Sequence, residues 1–206
     1  MKLVALSDLH GYLPDIPSCD AVLMAGDLCP YDHDVSKQET WLDTKFRRWL
    51  EKIEAPVYGV AGNHDFIFQE LPERVPKLPW TYLQDSSILF DKYLIHGTPW
   101  QPNYGDYAFN LAEHQLYQKW QLIPHDTDIL ISHGPPFGYG DYSKRNMRVG
   151  SETLFDRINE IKPKLVICGH VHEDHGRFRF NDTHIYNVSL RNRYHQVQHP
   201  PTVIEL

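Results

Sequence analysis

Apolar residues fall into two patterns along this 206-residue chain. The first is a set of short, unbroken apolar runs at 2–7, 21–25, 57–61, 128–132 and 165–168, each bounded by turn residues. Runs without polar alternation predict strands covered on both faces. Two further pairs of segments predict hairpins. One pairs 86–90 with 93–96 about Asp91-Lys92, and the other pairs 177–180 with 184–188 about Asn181-Asp182. The second pattern is helical. Leu42, Phe46, Trp49, Leu50 and Ile53 recur on one face and stop before Pro56. Phe109, Ala112, Leu116, Trp120 and Ile123 do the same before Pro124. Ser151 is placed to cap a third helix carrying Leu154, Ile158 and Ile161, with Pro163 as its stop. These stripes are core-facing, and the proline-rich stretch 71–79 reads as an ordered surface loop. Buried strands alternating with helices predict an α/β layered fold. No linker, repeat or low-complexity tract divides the chain, so 1–206 is expected to be one domain.

Composition narrows the choice of function. A net charge of −7 argues against stable binding to long nucleic acid, though not against a small positive site. Three cysteines, Cys19, Cys29 and Cys168, make neither a disulfide framework nor a CxxC zinc site. The N-terminal apolar run is interrupted by Asp8 and reads as a strand, not a leader. No stretch reaches the roughly 20 apolar residues of a membrane span. A cytoplasmic setting away from the membrane is the simplest expectation. Oligomeric state is not legible. Thirteen histidines are many for this length, and their positions decide what they mean.

Several of them fall just past the buried runs. Asp8 and His10 follow the first run and Asp27 the second. Asn63, His64 and Asp65 follow the third, His133 ends the fourth, and His170 and His172 follow the fifth. In α/β sheets, sites form beyond the carboxyl ends of strands. Residues two apart in extended chain point the same way, so Asp8/His10 and His170/His172 are each expected to converge. Glycines beside Asp27, Asn63, His133 and His170 permit tight turns. Any one of these motifs alone is most often a turn or a capping residue; the ordered set points to first-row divalent cations. The remaining histidines are expected to be surface or hydrogen-bonded residues. His33 and His175 are the two of these placed to approach the site, and Cys29 is expected to be a small buried residue.

Asp8-x-His10, Gly26-Asp27, Gly62-Asn63-His64-Asp65, His133-Gly134 and Gly169-His170-x-His172 resemble, in order, the signature of the calcineurin-like metallophosphoesterase superfamily. Thr98-Pro99-Trp100, His133-Gly134-Pro135-Pro136 and Asn187-Val188-Ser189 resemble the small metallophosphoesterase-domain-containing proteins within it. The resemblance implies a four-layer α-β-β-α sandwich of two mixed sheets flanked by helices. It implies two divalent ions, manganese first among Mn, Fe, Ni, Zn and Mg. Asp8, His10 and His172 would hold one ion, and Asn63, His133 and His170 the other, with Asp27 between. His64 would be the catalytic histidine, sharing phosphate binding with Asn63, and Asp65 could orient His64.

Charge counting fits that use. Two divalent cations against Asp8, Asp27 and a hydroxide leave about one positive charge, suited to a phosphate. The expected chemistry is in-line attack by metal-bound hydroxide, with His64 protonating the leaving alcohol. The expected substrate is a small phosphate ester. The subgroup resemblance favours a phosphodiesterase acting on small, possibly cyclic, nucleotides, with a phosphomonoesterase or protein phosphatase as the second reading. A non-catalytic protein-binding scaffold, as in the metallophosphoesterase-like subunit of retromer, is the reading from a different class; intact ligand positions weigh against it. The aromatic loops 99–107 and 135–142 are placed to wall the site, with Tyr139 and Tyr142 as base-stacking candidates.

Overall fold

A computed structural model describes residues 1–206. The uniformly apolar runs become the parallel centres of two sheets. In the first sheet, β1 (Lys2–Leu6), β2 (Ala21–Ala25), β3 (Val57–Val60) and the short β4 (Thr81–Tyr82) run parallel, and β13 (Thr202–Glu205) closes the edge antiparallel to β1. The second sheet includes the hairpin strands β5 (Ser86–Phe90) and β6 (Tyr93–Thr98) and the central β9 (Ile129–Ser132) and β10 (Leu165–Cys168). β11 (Gly176–Phe180) and β12 (Thr183–Asn187) complete it, in the order β11-β12-β10-β9-β6-β5. Its four inner strands are parallel and both edges are antiparallel. A two-stranded ribbon, β7 (Gln101–Pro102) with β8 (Asn110–Leu111), sits apart.

Alternation within the buried strands sorts the core into layers. Leu3, Ala5, Leu23 and Val60 from the first sheet meet Ile95, Ile129, Ile131, Leu165 and Ile167 from the second in one apolar cluster between the sheets. The opposite faces pack under helices. Val22, Met24 and Val57 lie with Leu42, Phe46 and Trp49, while Leu130, Val166 and Ile185 lie with Leu116, Trp120, Leu154 and Ile158. The result is the expected α-β-β-α sandwich. Phe46 and Trp120 are fully buried, and truncating either to alanine would cost about 3–5 kcal/mol.

The helices differ in detail from the sequence reading. The first begins earlier, as α1 (Val35–Trp41), capped by Asp34 accepting from Ser36 and Lys37 N–H. It passes through a π turn over Leu42–Phe46 into α2 (Arg47–Leu50), so Ile53 lies outside the helix. A short α3 (Phe66–Glu70) follows β3. α4 (Glu113–Trp120) starts after Phe109, which has φ +56° and sits in the preceding turn. α5 (Glu152–Ile161) begins at Ser151, whose hydroxyl accepts from Leu154 N–H at 3.1 Å. No helix is long and apolar enough to cross a membrane.

At their carboxyl ends the two sheets are stitched together by backbone. Ser7 N–H donates to Val188 O at 3.1 Å, and Leu190 N–H donates to Ser7 O at 3.0 Å. This brings the loops after β1, β2, β3, β9 and β10 to one edge.

Candidate metal centre

The predicted residues meet at that edge, but not by extended alternation. Asp8, His10, Asp27 and His170 have φ of +57°, +42°, +53° and +67°. Left-handed backbone at a residue other than glycine costs roughly 1–2 kcal/mol, so it persists only where surroundings enforce it. The enforcement here is backbone pairing between loops. Asp8 N–H donates to Gly26 O at 3.0 Å and His10 N–H to Asp27 O at 2.9 Å. Arg191, buried beneath, donates from Nε to Asp8 O at 3.0 Å and from Nη2 to Leu9 O at 2.7 Å. Two glycines make the crowding possible. A Cβ on Gly26, which has φ +93°, would lie 2.7 Å from Ala61 O, and one on Gly62 would strike Asp27 N and Oδ1.

The side chains divide into two groups around Asp27. On one side, His172 Nε2 lies 3.3 Å from Asp8 Oδ1, and His10 Nε2 lies 3.4 Å from Asp27 Oδ2. On the other, Asn63 Oδ1 lies 2.8 Å from His133 Nε2 and 2.9 Å from His170 Nδ1. His133 Nε2 is also 3.5 Å from Asp27 Oδ1. One Asp27 oxygen therefore faces each group. His170 and His172 both reach the one cavity, on opposite sides of Asp27. The left-handed His170 turns toward Asn63, while His172 opens a 3₁₀ turn beside Asp8.

This donor set suits cations. His133 Nδ1–H donates to Ala25 O at 2.7 Å, and in that tautomer Nε2 presents its lone pair to the Asn63 amide oxygen. Two acceptors at that separation are compatible when a cation lies among them. Asp8 and Asp27 are fully buried, and the only basic side chains within ion-pair distance of their carboxylates are histidines. Both His10 ring nitrogens are buried without a hydrogen bond. Three overlapping groups, Asp8/His10/His172, His10/Asp27/His64 and Asp8/Asp27/His133, each place their ligand atoms within 4.8 Å of one another.

The electrostatics carry the same signature. Burial, then Asp8 and Asp65, pushes the Asp27 carboxyl well above its usual range. For Asp8, burial works against ionisation, but His172, His133 and His10 outweigh it and hold the group low. His172 moves the opposite way: burial lowers it, and Asp8 more than compensates. Burial and His133 bring His170 down to about 3, and burial keeps His10 neutral, so its 3.4 Å approach to Asp27 is not an ion pair.

His64 lines a cavity of about 260 Å³ with Asp27, Asn63, His170 and His172. Its N–H donates to Asp27 Oδ1 at 2.7 Å, and its carbonyl accepts from the buried Gln38 Nε2 at 2.7 Å. Asp65 does not orient it. Both Asp65 oxygens accept backbone N–H groups, at 3.0 and 3.1 Å from Leu28, 2.8 Å from Cys29 and 2.7 Å from Gly62. Asp65 ties the β2 loop to the β3 loop, and His64 Nδ1 has no protein partner. Cys29 is a buried residue in the core beside it.

The aromatic wall also differs from expectation. Tyr139 packs on Phe155, with ring centroids 5.8 Å apart, and Tyr142 lies outside the cavity under Arg148. Tyr104 lines the cavity instead and stacks with Tyr107, which lies 4.6 Å from the His64 ring. Tyr31 stacks on His10 at 3.8 Å, and its hydroxyl bonds His195 Nδ1 at 3.1 Å. His195, read from sequence as a surface residue, is on the cavity rim. His33 packs on Phe66 near Tyr107, and His175 bonds Ser189 O and stacks on His199, away from the cavity. Nothing in the local spacing of Tyr31, Gln38 or Arg191 marks them. They act through contacts remote in sequence.

Paired sheets with acid, amide and imidazole groups gathered at their carboxyl edge define a metallophosphoesterase architecture. The sequence profile of the calcineurin-like phosphoesterase family matches residues 1–174, and the chain belongs to that family. It is 31% identical to the human metallophosphoesterase domain-containing protein 1, over all of this chain and 71% of that protein. It shares its fold with a dimetal phosphatase from Danio rerio at a TM-score of 0.56 and 11% identity, covering 94% of this chain and 88% of that one. A phosphopantetheinyl hydrolase from Mycobacterium tuberculosis superposes at a TM-score of 0.58 and 14% identity, covering 94% and 90%.

Proposed function

We propose that this chain is a dinuclear-metal phosphodiesterase acting on small nucleotides, cyclic ones included. The observation that supports it best is Asp27, whose two oxygens face separate ligand groups at the floor of a small-molecule cavity. Asp8, His10 and His172 would hold one divalent cation, and Asn63, His133 and His170 the other, with Asp27 shared. A bound pair supplies positive charge to the phosphoryl oxygens and a nucleophilic water near neutral pH.

The chain's own residues then have distinct tasks. Asn63 and His64 adjoin the space for the phosphate. The His64 backbone is held at both its N–H and its carbonyl, and its ring packs against His10 and Tyr107 with centroids 4.9 and 4.6 Å away. Its Nδ1 is buried, which leaves Nε2 to face the cavity and pass a proton to the leaving alcohol. Burial and His133 bring His64 to about 4, so it rests neutral in the free site. The anionic substrate opposes that shift and loads the proton where it is needed. Pro102, Tyr104, Met147 and Val149 add apolar surface beside the phosphate space, which suits the second organic arm of a diester.

The test compares a bis-aryl phosphate with an aryl phosphate on metal-stripped protein reconstituted with Mn²⁺, Ni²⁺, Mg²⁺ or Zn²⁺. Metal-dependent diester cleavage is expected. Cleavage of the monoester alone would replace this reading with a phosphomonoesterase, and no turnover with two ions bound would replace it with a binding scaffold. His64→Ala should retain both ions and lose about 10²–10⁴-fold in turnover of a diester with a poor leaving group. Full activity in that variant would remove His64 from its role.

A further inference from the structure

One segment of the cavity wall is not explained by metal binding or proton transfer. Residues 141–150 form a braced loop. At its base the fully buried Asp141 accepts from Arg148 Nη1 at 2.6 Å and from Gly150 N–H at 3.2 Å. At its tip Ser143 N–H donates to Met147 O at 2.9 Å and Asn146 N–H to Ser143 O at 2.8 Å, with Asn146 left-handed at φ +59°. The tip is tied to the metal motif, because Lys144 N–H donates to the carboxylate of Glu173, the residue after His172.

This bracing presents Lys144 and Arg145 to the cavity. They are the only Lys or Arg residues lining it. Neither side chain makes a hydrogen bond or an ion pair within the protein, whereas the neighbouring Arg148 is committed to Asp141. Glu173, the one lining carboxylate besides Asp27, is engaged by the Lys144 backbone. On a chain of net charge −7, two uncommitted cations held over the site form a local exception. The scissile phosphate would have its charge met by the cations that the two groups around Asp27 would hold, so it does not require them.

We infer that Lys144 and Arg145 select substrates carrying a second phosphate group, separate from the one that is cleaved. This deepens the phosphodiesterase reading and rests on it. A nucleotide diester with a further phosphate on its sugar is the substrate class that places one anion at the metals and another at the loop tip. The cations take no part in bond breaking. They bind and orient the arm that carries the extra charge.

The experiment uses two probes, thymidine 5′-(p-nitrophenyl phosphate) with and without a 3′-phosphate, each followed by loss of the ester. For the metal-loaded protein, kcat/KM should favour the 3′-phosphorylated ester by roughly tenfold, through KM, the scale of two partly exposed charge pairs. That preference should fall toward unity in the Lys144→Gln/Arg145→Gln double variant and shrink with added salt. No preference in the unaltered protein overturns the inference. So does an equal loss on both esters in the variant, which would assign the cations to the scissile phosphate.

If no diester is cleaved at all, the phosphodiesterase reading fails by itself. Calorimetric binding of thymidine 3′,5′-bisphosphate against thymidine 5′-phosphate then still reads the cation pair. Tighter binding of the bisphosphate, lost in the variant, supports it; equal binding refutes it.

Discussion

The two candidate ligand groups on either side of Asp27 are built differently. Around Asn63, polar atoms are held by protein partners. His133 is fixed by its bond to Ala25 O, and both His133 and His170 converge on one amide oxygen. Around His10, neither ring nitrogen has a partner, and the ring is held by the Tyr31 stack above it. The backbone leading to it is secured from beneath by Arg191, which donates to Asp8 O, Leu9 O and His10 O. In the first group the His133 ring is fixed by a backbone carbonyl; in the second the His10 ring is fixed by packing. Outer partners that orient a ligand set how tightly a metal is held. The two positions should therefore differ in how they lose their ions.

The harshest challenge to that comparison is Asp27→Asn, because Asp27 faces both groups. Metal content should fall from two ions to below one. Diester turnover should drop by at least about 10²–10³-fold, the scale for losing one electrostatic stabiliser. Metal analysis after desalting, beside the rate, checks both. Retention of two ions would mean that the groups are independent and that Asp27 does not join them.

A smaller and selective effect is expected from Tyr31→Ala. Removing the stack frees the His10 ring while leaving the Asn63 group intact. One of two metal-dissociation steps should weaken by about 10-fold, the lower end for loss of an orienting partner. Titration with metal-buffering chelators separates the steps. Equal weakening of both, or of neither, would show that packing on His10 does not distinguish the two positions.

Much of this organisation was legible in the sequence, and the exceptions have physical causes. Buried parallel strands read as unbroken apolar runs, so β1, β2, β3, β9 and β10 were visible within a residue of their ends. β13 was not, because its identity comes from antiparallel pairing with β1 at the other end of the chain. The candidate ligand positions were legible because each follows such a run. Their approach was misread as extended, since left-handed backbone at Asp8 and His10 is imposed by neighbouring loops. Asp65 adjoins His64 in sequence, yet its carboxylate is drawn away by unpaired backbone donors of the β2 loop. Arg191 reaches Asp8 across 183 residues, a contact no local pattern encodes.

The mildest prediction separates histidines that serve the metal edge from one that serves the fold. His96 on β6 is as buried as any ligand, with Nδ1 2.8 Å from Ser87 Oγ and Nε2 unpartnered, but no carboxylate cluster surrounds it. Burial, opposed only by Asp85, lowers it to about 4, against 6.5 in an unfolded chain. Above pH 6.5 both states are neutral, and the folded protein keeps its full advantage. As pH falls from 6.5 to 4, the unfolded chain takes up a proton that folded His96 resists, so stability declines with acid; below 4 the loss is complete. His10 and His170 are depressed by the same burial and contribute to the same acid slope in metal-free protein. His96→Gln should thus make the fall in Tm between pH 7 and pH 5 smaller by a few degrees. Metal loading should not alter that difference, while it should suppress the remainder by occupying the ligand rings. An unchanged acid slope in the variant would mean that the lability belongs wholly to the metal edge and that His96 serves the fold without weakening it in acid.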